Sequence, residues 1–122
     1  MTKKISMGTS AFTMGVYEAK PIAFEQVVAR LGELGYDGLE LPANKGYGSL
    51  EDWPDTSSRR QLMQLVLGAG LEISSYGADL SPSPVYSNDP QVRAAARTVF
   101  KQSIQCCLDG ESGVSRVETL AA

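Results

Sequence analysis

Two glutamates lie in segments with strand character, and their carboxylates are the side chains best placed to do chemistry. Glu40 stands between Leu39 and Leu41, so alternation along a strand would turn the leucines to one face and the carboxylate to the other. Glu118 holds a similar position in residues 114–120. A carboxylate near the carboxyl end of a strand can bind a hydroxyl group or a metal ion. We predict that Glu40 binds substrate and Glu118 binds metal; the alternative is a solvated or hydrogen-bonded acid at a strand end.

The sequence contains no histidine. This excludes Ser-His-Asp and Cys-His catalysis and histidine-rich metal sites within the chain, and no catalytic residue is assigned. Its two cysteines, Cys106 and Cys107, are adjacent, a spacing that makes no metal-binding motif and rarely forms a disulfide. We interpret them as packing residues in a reducing compartment.

Three long loops supply a second group of candidates, because an aromatic wall with a few polar groups is a common way to bind sugars and small polyols. These are Ser10 and Phe12 after the first strand, Asn44 and Tyr47 in the second loop, and Tyr76 and Asp79 after the third strand. Turn formation is a competing explanation for Asn44 and Asp79. Trp53 is expected to anchor the second loop on the rim.

The elements that carry these residues alternate along the chain. Apolar spacing predicts helices at residues 21–34, 55–69 and 90–108, and strand character is found at residues 4–9, 36–41, 71–76 and 114–120. Such alternation favours parallel strands joined by right-handed crossovers. We predict an α/β fold with strands in the order 1-2-3-4, equivalent to half of a TIM barrel.

Length, composition and charge narrow the type of protein that this chain can be. The 122 residues form one domain, 1–122, well short of the roughly 250 that a closed eight-stranded barrel needs. The hydrophobic share of 43% is enough for a core. With 11 basic against 14 acidic residues, and the basic ones scattered, nucleic acid is not an expected partner. No segment suits a signal peptide or a membrane helix, so we expect a soluble cytoplasmic protein.

Four stretches resemble the N-terminal half of the sugar phosphate isomerase/epimerase family, which has the xylose isomerase-like barrel. They are KISMGTSAFTMG (4–15), VVARLGELGYDGLELP (27–42), GLEISSYGADLSP (70–82) and VSRVETLAA (114–122). The resemblance implies a barrel that holds a divalent metal (Mn, Mg or Zn) and moves a proton between neighbouring carbons of a sugar or polyol. It also implies that metal and base come mostly from strands five to eight, which this sequence lacks. Where relatives often have a histidine after the third strand, this chain has Ser74, Ser75, Tyr76 and Gly77.

These observations favour a fragment of an isomerase- or epimerase-like barrel that binds no metal and catalyses no reaction alone. A chain that pairs to form an active barrel with a divalent metal stays open as an enzyme hypothesis. The alternative is a free-standing, doubly wound module that binds a small molecule without catalysis, whose strand order would reverse at a switch point.

A half barrel would also leave its first and fourth strands as unpaired edges. Its inner face, which we expect to carry Met7, Gly38, Glu40 and the serines of the third strand, would have no opposite wall. We therefore expect a homo-oligomer or a complementary half barrel as the protein partner.

Overall fold

Four parallel strands alternate with three helices along the chain. The computed structural model describes residues 3–80 and 82–109 and the backbone of residues 115–118. In chain order the elements are β1 (Ser6–Gly8), α1 (Phe24–Glu33), β2 (Gly38–Leu41), α2 (Thr56–Gly68), β3 (Glu72–Asp79), α3 (Pro90–Asp109) and β4 (Ser115–Glu118). Two short 3-10 turns, Thr9–Phe12 and Gly15–Tyr17, lie between β1 and α1. Every predicted helix and strand is present, and β3 runs further toward its carboxyl end than predicted.

The sheet has the strand order β1-β2-β3-β4, and each neighbouring pair is parallel. Consecutive order with no reversal is the arrangement of successive units of a β/α barrel. A doubly wound sheet would instead change direction at a switch point. The predicted order 1-2-3-4 is confirmed.

Helices α1 and α2 end in the same way, which keeps the loops that follow them short. Gly35 and Gly70 have φ angles of +82° and +79°, a left-handed conformation that glycine adopts without a steric penalty. The next amide, that of Tyr36 or Leu71, donates back to the carbonyl of Leu31 or Val66, at 3.1 and 3.2 Å. In each helix, this bond and the left-handed glycine form a C-terminal cap that turns the chain directly into the next strand.

One hydrophobic core joins all three helices to the sheet. Its buried residues are Phe24, Val27, Val28 and Leu31 from α1, Leu62 and Val66 from α2, Cys106 and Cys107 from α3, and Leu39, Leu41 and Tyr76 from the strands, with Ala43, Tyr47 and Leu71 from the loops. The helices therefore cover one side of the sheet, here called the outer face; the other side is the inner face. Leu34, the last residue of the helix predicted at residues 21–34, is 56% exposed and lies just after the observed end of α1 at Glu33.

None of the helices in the part of the chain that the structure describes is long and apolar enough to cross a membrane.

Met7 lies on the outer face, so its predicted place on the inner face is wrong. It packs against the core, and it is paired in register with Leu39, which is fully buried. Residues paired across parallel strands point to the same side of a sheet, so Met7 follows Leu39. The inward positions of β1 are Ser6 and Gly8.

A nearly buried ion pair joins the start of α2 to the end of α3. Arg59 Nη1 donates to Asp109 Oδ2 at 2.9 Å, and both side chains are 11% exposed. The same guanidinium donates to the carbonyls of Trp53 and Pro54, at 3.0 and 3.2 Å. The hydrogen bond from Arg59 lowers the pKa of Asp109. Arg59 thus holds the second loop, α2 and α3 together.

Replacing Asp109 with Asn should reduce the free energy of unfolding at pH 7 by about 1–3 kcal/mol, since a charged hydrogen bond is lost in a mostly buried place. A lowered carboxyl pKa stabilises the fold above the unfolded value of about 3.9, and that stabilisation is lost as the pH falls through the folded value. The difference between Asp109→Asn and the wild type should therefore shrink at low pH. Urea denaturation at neutral and acid pH measures both effects.

The matched control is Glu33→Gln, which removes the exposed ion pair between Arg30 and Glu33, whose side chains are 68% and 66% exposed. Solvent screens such a pair, so the change should stay within about 0.5 kcal/mol. Equal losses in the two variants would contradict the role assigned to Arg59 and Asp109.

Candidate functional site

Glu40 is placed on the inner face by the two leucines beside it. Leu39 and Leu41 are 0% and 2% exposed under the helices, so the side chain between them points the other way. Glu40 is half-buried. Its main chain is held in place by the buried Thr9, whose Oγ1 donates to the Glu40 carbonyl at 2.6 Å. The structure thus gives Glu40 the orientation that alternation predicts.

The carboxylate of Glu40 leans toward β1. A methyl group built at Gly8 would lie 3.4 Å from Glu40 Oε2, so the missing side chain of Gly8 leaves room for this carboxylate. Gly8 pairs with Glu40 in register, and Glu40 pairs with Ser75 of β3. The three residues form a row across the inner face, here called the Gly8–Glu40–Ser75 row.

A β-bulge at Ser74 sets the direction of the rest of β3. Leu39 pairs with Ile73, but the next residue of β2, Glu40, pairs with Ser75, so β3 carries one extra residue between them. The Ser74 hydroxyl lies 3.0 Å from the Leu39 carbonyl, to which it donates, and 2.5 Å from Ser6 Oγ. These contacts hold the bulge on the inner face.

Ser75 follows the bulge and lies on the inner face, as the sequence predicts for the serines of the third strand, although the sequence did not mark it as a binding residue. It is 8% exposed, and its Oγ has no hydrogen-bond partner among the described residues. A buried hydroxyl without a partner is uncommon in folded proteins. The two adjacent serines are visible in the sequence, but regular alternation would place them on opposite faces. The bulge is what puts both on the inner face.

Tyr76 lies within β3 and on the outer face, so it is not part of the predicted mouth. It is 3% exposed, and its hydroxyl donates to the Gly48 carbonyl at 2.5 Å. Burial, and to a smaller extent the nearby Cys106, raises the pKa of Tyr76, so its phenol stays protonated at neutral pH. The bulge is the physical cause, because without the extra residue alternation would turn Tyr76 inward.

The polar candidates of the first two loops are brought together at the carboxyl ends of β1 and β2. Asn44 Nδ2 donates to Thr13 Oγ1 at 3.2 Å, and Thr13 Oγ1 donates to the Ser10 carbonyl at 2.9 Å. Ser10 and Asn44 are both half-buried. This chain of contacts joins the two loops at the carboxyl end of β2, close to Glu40.

The aromatic candidates of these loops pack toward the helices. Phe12 is partly buried against the core, and Tyr47 is 2% exposed with its hydroxyl donating to the Ile22 carbonyl. The ring of Phe24 lies edge-on to Tyr47 at 5.3 Å and to Trp53 at 5.6 Å. Trp53 thus anchors the second loop as expected, whereas Tyr47 does not line an open mouth.

Asp79 and Glu118 are neighbours at the carboxyl ends of β3 and β4. They pair in register, and Asp79 is exposed. The side chain of Glu118 lies outside the described residues. The predicted position of Glu118 on a fourth parallel strand is present in the backbone, while its metal-binding role stays a prediction.

No group of three or more His, Cys, Asp or Glu side chains that could hold a metal ion occurs within the described part of the chain. The divalent metal implied by the family resemblance therefore does not fit the described residues, and no chemical step is assigned to it.

The two cysteines lie in the core. Cys106 and Cys107 are 9% and 6% exposed thiols on α3. Burial is the main reason why the pKa of Cys106 is raised, and a protonated, buried thiol is a poor nucleophile. Their interpretation as packing residues agrees with this environment.

Two solved structures share this arrangement of strands and helices. D-psicose 3-epimerase from Clostridium cellulolyticum H10, crystallised with D-tagatose, matches 94% of this chain with a TM-score of 0.67 and 16% sequence identity. A D-psicose 3-epimerase crystallised in the presence of D-fructose matches 94% of this chain with a TM-score of 0.67 and 14% identity. The fold is that of part of a β/α barrel. The chain spans 37% of the length of each of these epimerases. No protein-family model and no curated protein sequence matches it.

Replacing Tyr76 with Phe should lower the free energy of unfolding by about 1–3 kcal/mol, because the Gly48 carbonyl would lose its buried donor. A raised tyrosine pKa stabilises the fold below the unfolded value of about 10 and ceases to do so as the pH rises toward the folded value. The wild type should therefore lose part of its advantage over Tyr76→Phe in strong alkali, as measured by urea denaturation.

Tyr86→Phe serves as the control, because Tyr86 is 61% exposed. A surface change of this kind should stay within about 0.5 kcal/mol. A Tyr76→Phe variant as stable as Tyr86→Phe would contradict the structural role of the Tyr76 hydroxyl.

Proposed function

We propose that this chain is the front part of a sugar isomerase- or epimerase-like barrel, that it binds a small sugar or polyol on its inner face, and that it completes no reaction alone. The observation that carries the proposal is the half-buried carboxylate of Glu40 on a face that the described helices leave uncovered. Ligands of parallel β/α folds bind at the carboxyl ends of the strands, where Glu40 lies.

The chemistry of the Gly8–Glu40–Ser75 row suits a polyol. A carboxylate accepts hydrogen bonds from hydroxyl groups, and bonds to a charged acceptor are about twice as strong as neutral ones. Gly8 leaves space beside the carboxylate that a side chain would restrict. Ser10, Asn44 and Asp79, at the ends of the three strands, would extend the polar surface toward a longer ligand.

The fold neighbours agree with this ligand class. Both are D-psicose 3-epimerases, one crystallised with D-tagatose and the other in the presence of D-fructose. Since this chain matches little more than a third of each, catalysis would need groups that the described residues do not provide. Any divalent metal would come with the rest of such a barrel, including the side chain of Glu118.

Titrating the isotope-labelled chain with D-fructose, followed by NMR, tests this proposal. We expect saturable shifts of the inner-face amides with a millimolar dissociation constant and no conversion of the sugar. Replacing Glu40 with Gln should weaken binding about tenfold, because a charged acceptor is replaced by a neutral one of the same shape.

Glu33→Gln is the matched control, because the same change is made on the exposed outer surface of α1, and its affinity for D-fructose should equal that of the wild type. The thermal midpoint of each variant shows whether the fold is intact. Absence of saturable shifts in the wild type, or equal affinity of Glu40→Gln and wild type, would refute the proposal. Conversion of D-fructose by the chain alone would refute the claim that the chain completes no reaction by itself.

We further propose that the β1 side of the sheet associates with a second copy or with a complementary half barrel. Among the described strands β1 pairs only with β2, so its other edge has unpaired backbone groups. An apolar groove runs beside this edge on the outer face and is lined by Met7, Phe12, Ile22, Gln26, Val27, Arg30, Leu31, Leu34 and Tyr36. In a closed barrel, another strand and helix would cover the edge and the groove.

Replacing Leu34 with Glu should shift the association equilibrium to the monomer, because a charge would be buried in the apolar groove. Light scattering at micromolar concentration measures the change. Leu67→Glu is the control, since Leu67 is 52% exposed, close to the 56% of Leu34, but lies on α2 and does not line the groove. A wild type that is monomeric throughout, or equal effects of the two variants, would contradict association through this side.

The buried thiols Cys106 and Cys107 are compatible with a reducing compartment, and the cytoplasm remains the proposed location.

A further inference from the structure

The hydroxyl of Ser75 is buried on the inner face, on the residue that pairs in register with Glu40, and has no partner among the described residues. Ser75 is 8% exposed, and its Oγ makes no hydrogen bond within the described residues. Burying a hydroxyl without a partner destabilises a fold, so such a group calls for an explanation in terms of something it binds.

Its neighbours already have other contacts. The Ser74 hydroxyl is directed to the Leu39 carbonyl and to Ser6 Oγ. The carboxylate of Glu40 leans toward Gly8 on β1, away from β3, as the 3.4 Å approach of Oε2 to the methyl position of Gly8 indicates. Among the described residues, Ser75 therefore has no donor or acceptor along the row.

The direction of the side chain follows from register. Ser75 pairs with Glu40, and the residue after it, Tyr76, is buried under the helices on the outer face. Ser75 consequently faces inward. The next inward position toward the carboxyl end of β3 is Gly77, where a methyl group would lie 3.4 Å from the Pro42 carbonyl oxygen and 3.5 Å from that of Leu41.

No hydrogen bond from the part of the chain that the structure describes holds the rotamer of Ser75. A serine hydroxyl has three staggered positions about χ1. Turning Ser75 Oγ toward an arriving group would break no hydrogen bond, whereas turning that of Ser74 would break the one to Leu39.

We infer that Ser75 is a ligand-binding residue whose hydroxyl forms a hydrogen bond with a hydroxyl group of the sugar or polyol that Glu40 binds. This inference rests on the function proposed above and deepens it. A vicinal diol fits the pair, with one hydroxyl donating to Glu40 and its neighbour bonding to Ser75. The ligand would supply the partner that Ser75 lacks among the described residues.

The test compares Ser75→Ala with Ser74→Ala in NMR titrations with D-fructose and in thermal unfolding. Removing the Ser75 hydroxyl breaks no hydrogen bond within the described residues, so the thermal midpoint should stay the same or rise. The dissociation constant for D-fructose should increase about five- to tenfold, the effect of one lost hydrogen bond. Ser74→Ala should lower the thermal midpoint, because its hydroxyl is hydrogen-bonded, and should change the dissociation constant less than Ser75→Ala does.

The outcomes separate this inference from the proposal on which it rests. Binding by the wild type that is weakened in Glu40→Gln but unchanged in Ser75→Ala would overturn the role of Ser75 alone. A lower thermal midpoint for Ser75→Ala would overturn it too, since the hydroxyl would then have a structural partner. A wild type that does not bind D-fructose would remove both the proposed function and this inference.

Discussion

The burial of Leu39 and Leu41 under the helices is the constraint on which the inner face depends. Both side chains are almost completely excluded from solvent. Because a strand alternates its side chains, fixing the two leucines fixes the direction of Glu40 between them. A register slip of one residue would expose both leucines and bury the carboxylate, so the hydrophobic effect strongly opposes it. The position of the one acidic side chain in β2 is thus a consequence of packing on the opposite side of the sheet.

This explains why Glu40 could be predicted from the sequence and Tyr76 could not. The alternation of β2 is regular, so the pattern Gly-Leu-Glu-Leu is enough to assign its faces. In β3 the extra residue at Ser74 interrupts the alternation, and Ile73 and Tyr76, three positions apart, both lie on the outer face. A bulge depends on contacts with the neighbouring strands, here through Ser6 and Leu39, which are distant in sequence. Local pattern contains no signal for it.

The helices and their ends were predictable for a similar reason, since the apolar stripe of α1 and the glycines after α1 and α2 act within a few residues. The loops depend on longer-range packing. Tyr47 was expected at the mouth, but Phe24 of α1 and the Ile22 carbonyl provide an apolar contact and a hydrogen bond that hold it inward. An aromatic residue in a long loop can face a ligand or the core, and only the partners available in three dimensions decide between them.

The inner face differs in one physical respect from the interior of a typical closed barrel. Bulky branched side chains usually fill that interior in layers. Here the described inward positions are occupied by small or acidic residues: Ser6, Gly8, Gly38, Glu40, Ser74, Ser75 and Gly77. These side chains have too little volume to fill the centre of a barrel, because protein interiors are closely packed. In the completed barrel proposed above, larger side chains from an opposite wall, or a bound ligand, would occupy the space above them. The units described here would then supply hydrogen-bonding groups and room, and the added part would supply the larger side chains.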